Sequence, residues 1–115
     1  MNPGRYNITI VQGTTFSLSP QWLINNSPVD ITGYSADMQI RQFVDSTSLL
    51  AEASTANGKI TLNTTQGTLN ITLPATETTG YTAGNYTYAL NLTAPNGFVY
   101  QLLNGTFVVQ ASAVH

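Results

Sequence analysis

Residues 80–93 read Gly-Tyr-Thr-Ala-Gly-Asn-Tyr-Thr-Tyr-Ala-Leu-Asn-Leu-Thr. From Asn85 onward Tyr86, Tyr88, Leu90 and Leu92 alternate with Asn85, Thr87, Asn91 and Thr93. That period of two is the period of a strand with one face buried and one face polar. The two glycines ahead of it, Gly80 and Gly84, mark a corner. In an immunoglobulin-like sandwich, a tyrosine just past such a corner bonds back to the backbone a few residues upstream. Tyr86 is placed to do this.

The same alphabet extends both ways. Downstream, Ala94-Pro95-Asn96-Gly97 predicts a hairpin turn, with Phe98–Leu103 pairing back. Asn104-Gly105 predicts a bulge or second turn before Thr106–Val109. Upstream, Pro74–Gly80 breaks the alternation. Proline suits a helix start and glycine a helix stop, so one helical turn is expected there, crossing between two sheets. Leu69, Ile71 and Leu73 form a strand, as do Ile60 and Leu62, and Asn57-Gly58 is a turn. A half-buried strand runs from about Ser35 to Phe43, followed by a loop over Val44–Ser48 and a short run from Leu49-Leu50. Asn25–Pro28 is a turn. Phe16, Leu18, Trp22 and Ile24 share even positions and one expected buried face, with Pro20 as an edge or bulge. Tyr6, Ile8 and Ile10 open the chain in the same way.

These readings give an all-β chain, an immunoglobulin-like antiparallel β-sandwich of about seven to nine short strands, with a small barrel as the alternative. The 115 residues make one domain, 1–115, patterned from about 5 to 109, with an unpatterned tail over 110–115.

Charge is scarce. Asp, Glu, Lys and Arg make up 7% of the chain, against about 25% in ordinary soluble domains. The net charge is −2, which argues against nucleic acid as a partner. No apolar run reaches the ~20 residues of a membrane span, so no membrane is expected. No apolar stretch follows the N-terminus as in a signal peptide. There is no cysteine and one histidine, His115. A Ser-His-Asp or Cys-His arrangement and a zinc site therefore lack their parts. Asp30, Asp37 and Asp45 read as local turn or surface groups, and Asp45-Ser46-Thr47 is too thin for calcium. The expectation is no enzyme, no catalytic residue, no cofactor and no metal. Asn-x-Thr/Ser occurs at Asn7, Asn25, Asn63, Asn70, Asn85, Asn91 and Asn104. An outward strand face built from Asn and Thr writes that pattern without glycosylation, because residues i and i+2 share a face.

Of the aromatics, Trp22, Tyr6, Tyr86 and Tyr88 fall on core-facing positions. Tyr34 and Tyr81 lie in corners or loops, and Phe43, Phe98 and Tyr100 at strand ends. With Leu49 and Leu50, the set Tyr34, Phe43, Leu49, Leu50, Tyr81, Phe98 and Tyr100 are the interface candidates, together with the chain termini. A surface of hydroxyls and amides with little charge suits packing beside other subunits.

Four segments, GRYNITIVQGTTFSL, SPVDITGYSADMQIR, LPATETTGYTAGNYTYALNLTAPNG and LLNGTFVVQ, resemble as a set the small virion proteins of tailed bacteriophages, including cyanophages. They are similar, more loosely, to the N-terminal immunoglobulin-like domain of phage baseplate upper proteins. The resemblance runs from about Gly4 to Gln110 and rests on turns and strand alternation. It implies a non-enzymatic structural subunit of the virion, assembled in the host cytoplasm. Its partners would be other virion proteins at the tail, neck or baseplate, with the chain a homo-oligomer or bound to a lattice. A head decoration protein is the alternative within that reading. A carbohydrate-binding or adhesin-like module is the alternative outside it, and requires Tyr34 and Tyr81 to lie coplanar on one face.

Overall fold

A computed structural model describes residues 4–43 and 49–112. The expected loop over Val44–Ser48, the Asp45-Ser46-Thr47 reading and His115 lie outside them. The described strands are β1 (Gly4–Arg5), β2 (Ile8–Val11), β3 (Phe16–Leu18), β4 (Leu23–Ile24), β5 (Ser27–Pro28), β6 (Ser35–Arg41), β7 (Leu49–Ser54), β8 (Ile60–Asn63), β9 (Thr68–Leu73), β10 (Gly84–Thr93) and β11 (Val99–Gln110). One helical turn, α1 (Ala75–Thr78), joins β9 to β10, where Pro74 and Gly80 predicted it. No helix among the described residues is long and apolar enough to cross a membrane.

The larger sheet has the order β1-β11-β10-β6-β7, with β2 also on β11, and the smaller is β3-β9-β8. These match the G-F-C-C′ and B-E-D orders of an immunoglobulin-type sandwich. The fold is a β-sandwich, and among the described strands its pairings are antiparallel with two exceptions. Both N-terminal strands run parallel to β11. Alternation marks a buried face but not a direction, so the sequence reading missed this.

The core lies between the sheets. Ala36, Met38 and Ile40 of β6, Leu90 and Leu92 of β10, and Phe107 and Val109 of β11 meet Leu69, Ile71 and Leu73 of β9 there. The Phe107 ring stands edge-on to Phe16 at 6.0 Å and to Tyr88 at 6.5 Å, a favourable geometry for aromatic quadrupoles. In β11 the buried parity switches from Tyr100 and Leu102 to Gly105, Phe107 and Val109. The β10 register accounts for it. Leu90 faces Leu103 and Asn91 faces Gln101, leaving Leu102 as the extra residue. The bulge expected at Asn104-Gly105 is therefore at Leu102.

The Tyr86 hydroxyl donates to the Thr82 carbonyl at 2.6 Å, closing the corner that the sequence predicted. Tyr86→Phe removes that bond alone and should cost about 1 kcal/mol, a fall of about 4 °C in Tm by calorimetry, with an unchanged near-ultraviolet signature from Trp22. Two core assignments need correction. Tyr6 is exposed, because it passes over β11 between the two parallel pairings. Ile24 is 54% exposed, because β4 and β5 are two-residue arms of a projecting hairpin and have no inner face.

Candidate interaction surface

One end of the sandwich is built by the segment from Pro20 to Tyr34 and by the β10–β11 hairpin. Asn25 and Asn26 both take positive φ, 51° and 64°, the left-handed pair that a tight two-residue hairpin requires. Gly67 anchors its base. The Gly67 carbonyl accepts from Trp22 N at 2.8 Å, and Val29 N donates to the Trp22 carbonyl at 3.0 Å. Gly67 has φ 64°, and a Cβ there would sit 2.6 Å from the Val29 oxygen, so only glycine fits this approach.

Between this segment and β11 lies an open cleft of about 800 Å³. Trp22 forms its aromatic floor, with the Tyr34 ring edge-on at 6.1 Å and the Tyr100 ring tilted at 5.4 Å. Leu23, Ile24, Val29, Leu102 and Leu103 supply the walls, and none of the described lining residues is charged. Leu23 and Ile24 face water, as do Phe98 and Val99 at the nearby start of β11, the latter two at 62% and 59% exposure. Exposed large apolar groups gathered round an aromatic cleft mark a contact surface, whereas single ones scattered over a surface do not.

The seven interface candidates divide. Tyr34 and Tyr100 are half-buried at the cleft, and Phe98 is exposed beside it. Phe43 and Leu49 are exposed and Leu50 half-buried at the opposite end of the larger sheet, by the end of β6 and the start of β7. Tyr81 was expected at the surface and is buried, at 6% exposure. The chain folds back after α1. The Tyr81 hydroxyl donates to Glu77, and its carbonyl accepts from Gln12 Nε2 at 2.6 Å. Partial burial works to raise the Glu77 carboxyl, but the bonds from Lys59 and Tyr81 and the Lys59 charge outweigh it and hold it below its ordinary value. Tyr34 and Tyr81 thus lie toward opposite ends of β10 and form no common platform. Leu23, Ile24 and Val99 were not foreseen. The usable signal was Asn25-Asn26 directly after Ile24, which leaves the preceding strand no room for a partner inside.

The outer face of the larger sheet is polar, and Asp37, Gln39, Arg41 and Glu52 on it are half-buried. Gln39 Nε2 donates to Asp37 at 3.0 Å and to Glu52 on β7 at 3.1 Å. Loss of water, then the hydrogen bond and charge of Glu52, push the Asp37 carboxyl up to about 6 against the pull of Gln39 and Arg41. Between pH 4 and 6 the folded chain therefore holds a proton that the unfolded chain has released, so this group's contribution to stability falls as pH rises through that window. Asp37→Asn should remove the fall. At pH 7.5 it should melt about 4 °C above wild type, roughly 1 kcal/mol after solvent screening, and near pH 3.5 the two should coincide. No group of three or more His, Cys, Asp or Glu able to hold a metal ion occurs among the described residues.

No protein-family model matches the chain, and no curated protein matches it in sequence. Among solved structures it is similar to CopC from Methylosinus trichosporium OB3b, with a TM-score of 0.50 and 14% identity, over 95% of this chain and 88% of that one. At that identity the likeness bears on the fold alone, and it supports the β-sandwich.

Proposed function

We propose that this chain is a non-enzymatic structural subunit of a tailed-phage virion, an adaptor or accessory protein that docks on larger virion proteins at the tail, neck or baseplate. The observation that carries the docking role is the apolar, aromatic-floored cleft over Trp22 with its exposed rim of Leu23, Ile24, Phe98 and Val99. Recognition loops gathered at one end of a rigid sandwich are a recurrent use of this architecture. The virion assignment rests on the sequence resemblance, which supplies turns and strands but no catalytic residue.

A head decoration subunit would use the same surface on a different partner. The carbohydrate-module reading loses its proposed platform, since Tyr81 is buried and lies far from Tyr34. The test is mass spectrometry of gradient-purified particles from the phage that encodes the chain. The chain is expected at a fixed copy number per particle, retained through a high-salt wash. Its recovery only in the soluble lysate would contradict the reading.

A further inference from the structure

The sequence holds three Asn-Gly pairs, Asn57-Gly58, Asn96-Gly97 and Asn104-Gly105. At such a pair the glycine nitrogen can attack the side-chain carbonyl carbon of the asparagine, because no side chain on the second residue obstructs the approach. The step needs an asparagine side chain that can lie over its own backbone. It also needs a glycine amide that can leave its hydrogen bond. The fold therefore decides which of the three pairs reacts.

Two of the pairs are held. Asn57 Oδ1 accepts from Ser54 N at 2.9 Å and from Lys59 N at 3.0 Å, and its Nδ2 donates to the Glu52 carbonyl at 2.9 Å. Asn104 sits inside β11 between β1 and β10. Its Nδ2 donates to Gln101 Oε1 at 2.8 Å, its carbonyl accepts from Tyr6 N at 2.9 Å, and Gly105 after it is buried. Asn96 and Gly97, by contrast, are exposed at the tip of the β10–β11 hairpin, and a Cβ built on Gly97 would meet no atom of the described residues within 4 Å. Asn96 Oδ1 accepts from Phe98 N at 3.0 Å, which loops its side chain over the Gly97 peptide. Gly97 N donates to the Ala94 carbonyl at 2.9 Å. That is a single bond at a tip open to water, and it opens readily.

We propose that Asn96 is a site of self-modification that places a negative charge on the docking surface as the chain ages. Gly97 N bonds to Asn96 Cγ and closes a five-membered succinimide. The Cγ–Nδ2 bond breaks, and the side-chain nitrogen departs as ammonia with the Gly97 proton. Water then opens the ring to aspartate or isoaspartate. The new carboxylate lies two residues before Phe98, on the exposed apolar rim of the cleft. The hairpin is part of that surface, since a Cβ on Gly33 would sit 2.9 Å from Pro95, so the turn after Ile31 packs on the turn that carries Asn96. A carboxylate there must be desolvated when an apolar partner docks, so a chain modified before assembly docks less well. This consequence rests on the docking reading above, whereas the modification itself does not.

The test ages the folded chain in mildly alkaline buffer and maps each asparagine by peptide mass spectrometry, with electron-transfer fragmentation to separate aspartate from isoaspartate. Asn96 should convert first and to both products. Asn57 and Asn104 should convert at least about tenfold more slowly, because the bonds that hold them must break before attack. In urea the three rates should come together. A folded chain in which Asn26, Asn57 or Asn104 converts as fast as Asn96, or in which Asn96 stays intact while the unfolded chain converts, would overturn the site. For docking, Asn96→Asp with a wild-type circular dichroism spectrum should enter particles at least about threefold less than wild type at equal expression. Asn96→Gln, whose longer side chain closes the ring poorly, should keep its incorporation through the same ageing. Full incorporation of Asn96→Asp would overturn the effect on docking. Absence of the wild-type chain from particles would overturn the docking reading, and the conversion rates would still decide the site.

Discussion

Gly105→Ala is expected to destabilise the fold by about 3 kcal/mol or more, a fall in Tm of roughly 10 °C or more. Gly105 sits buried in the middle of β11, opposite Tyr88. β1 pairs with β11 just before it, at Leu103 and Asn104, and β2 just after it, from Phe107 to Gln110. Tyr6 and Asn7 bridge the two pairings directly over the glycine. A Cβ there would overlap the Tyr6 carbonyl oxygen, lie 2.9 Å from its carbon and approach Asn7 Oδ1 to 3.0 Å. Backbone cannot rotate out of the way as a side-chain tip can. The same bridge is tied down by three bonds: Tyr6 N to the Asn104 carbonyl at 2.9 Å, Thr106 N to Asn7 Oδ1 at 3.2 Å, and the Tyr88 hydroxyl to the Tyr6 carbonyl at 2.6 Å. One added methyl group would therefore push the N-terminal edge away from the sheet. Thermal melting followed by circular dichroism checks the magnitude. Amide exchange should accelerate first over residues 5–10, and a Tm within 3 °C of wild type would refute the argument.

The second large effect concerns association. Leu23→Asp combined with Ile24→Asp should leave the melting temperature within about 3 °C, because both side chains already face water on two-residue strands. Docking should fall at least about tenfold, since two carboxylates would have to be desolvated where the partner presents apolar surface. The readout is the amount of variant recovered in purified particles, relative to wild type at equal expression. Full incorporation of a folded variant would move the interface elsewhere, with Phe43 and Leu49 the next candidates.

The contrast between these two sites shows what could be read from the residues alone. Strand alternation placed β6 and β10, and the Pro74–Gly80 break and the Ala94–Gly97 turn were equally plain, because each depends on local backbone chemistry. The Tyr86 corner was legible for the same reason. The parallel attachment of β1 and β2 was not, since the pattern Tyr6, Ile8, Ile10 is identical for either direction. Nor was the burial of Tyr81. A loop position says that the backbone turns, not which wall the side chain meets. At the cleft, Tyr34, Phe98 and Tyr100 were found from their places at corners and strand ends. Ile24 was misplaced by its even parity with Trp22, which a two-residue hairpin interrupts.

Hydroxyl-radical footprinting of the chain inside purified particles, set against the free chain, tests the central claim most directly. Leu23, Ile24 and Phe98 should be strongly protected in the particle, relative to exposed Tyr6. Equal oxidation of the three in both states would contradict a docking role for the cleft.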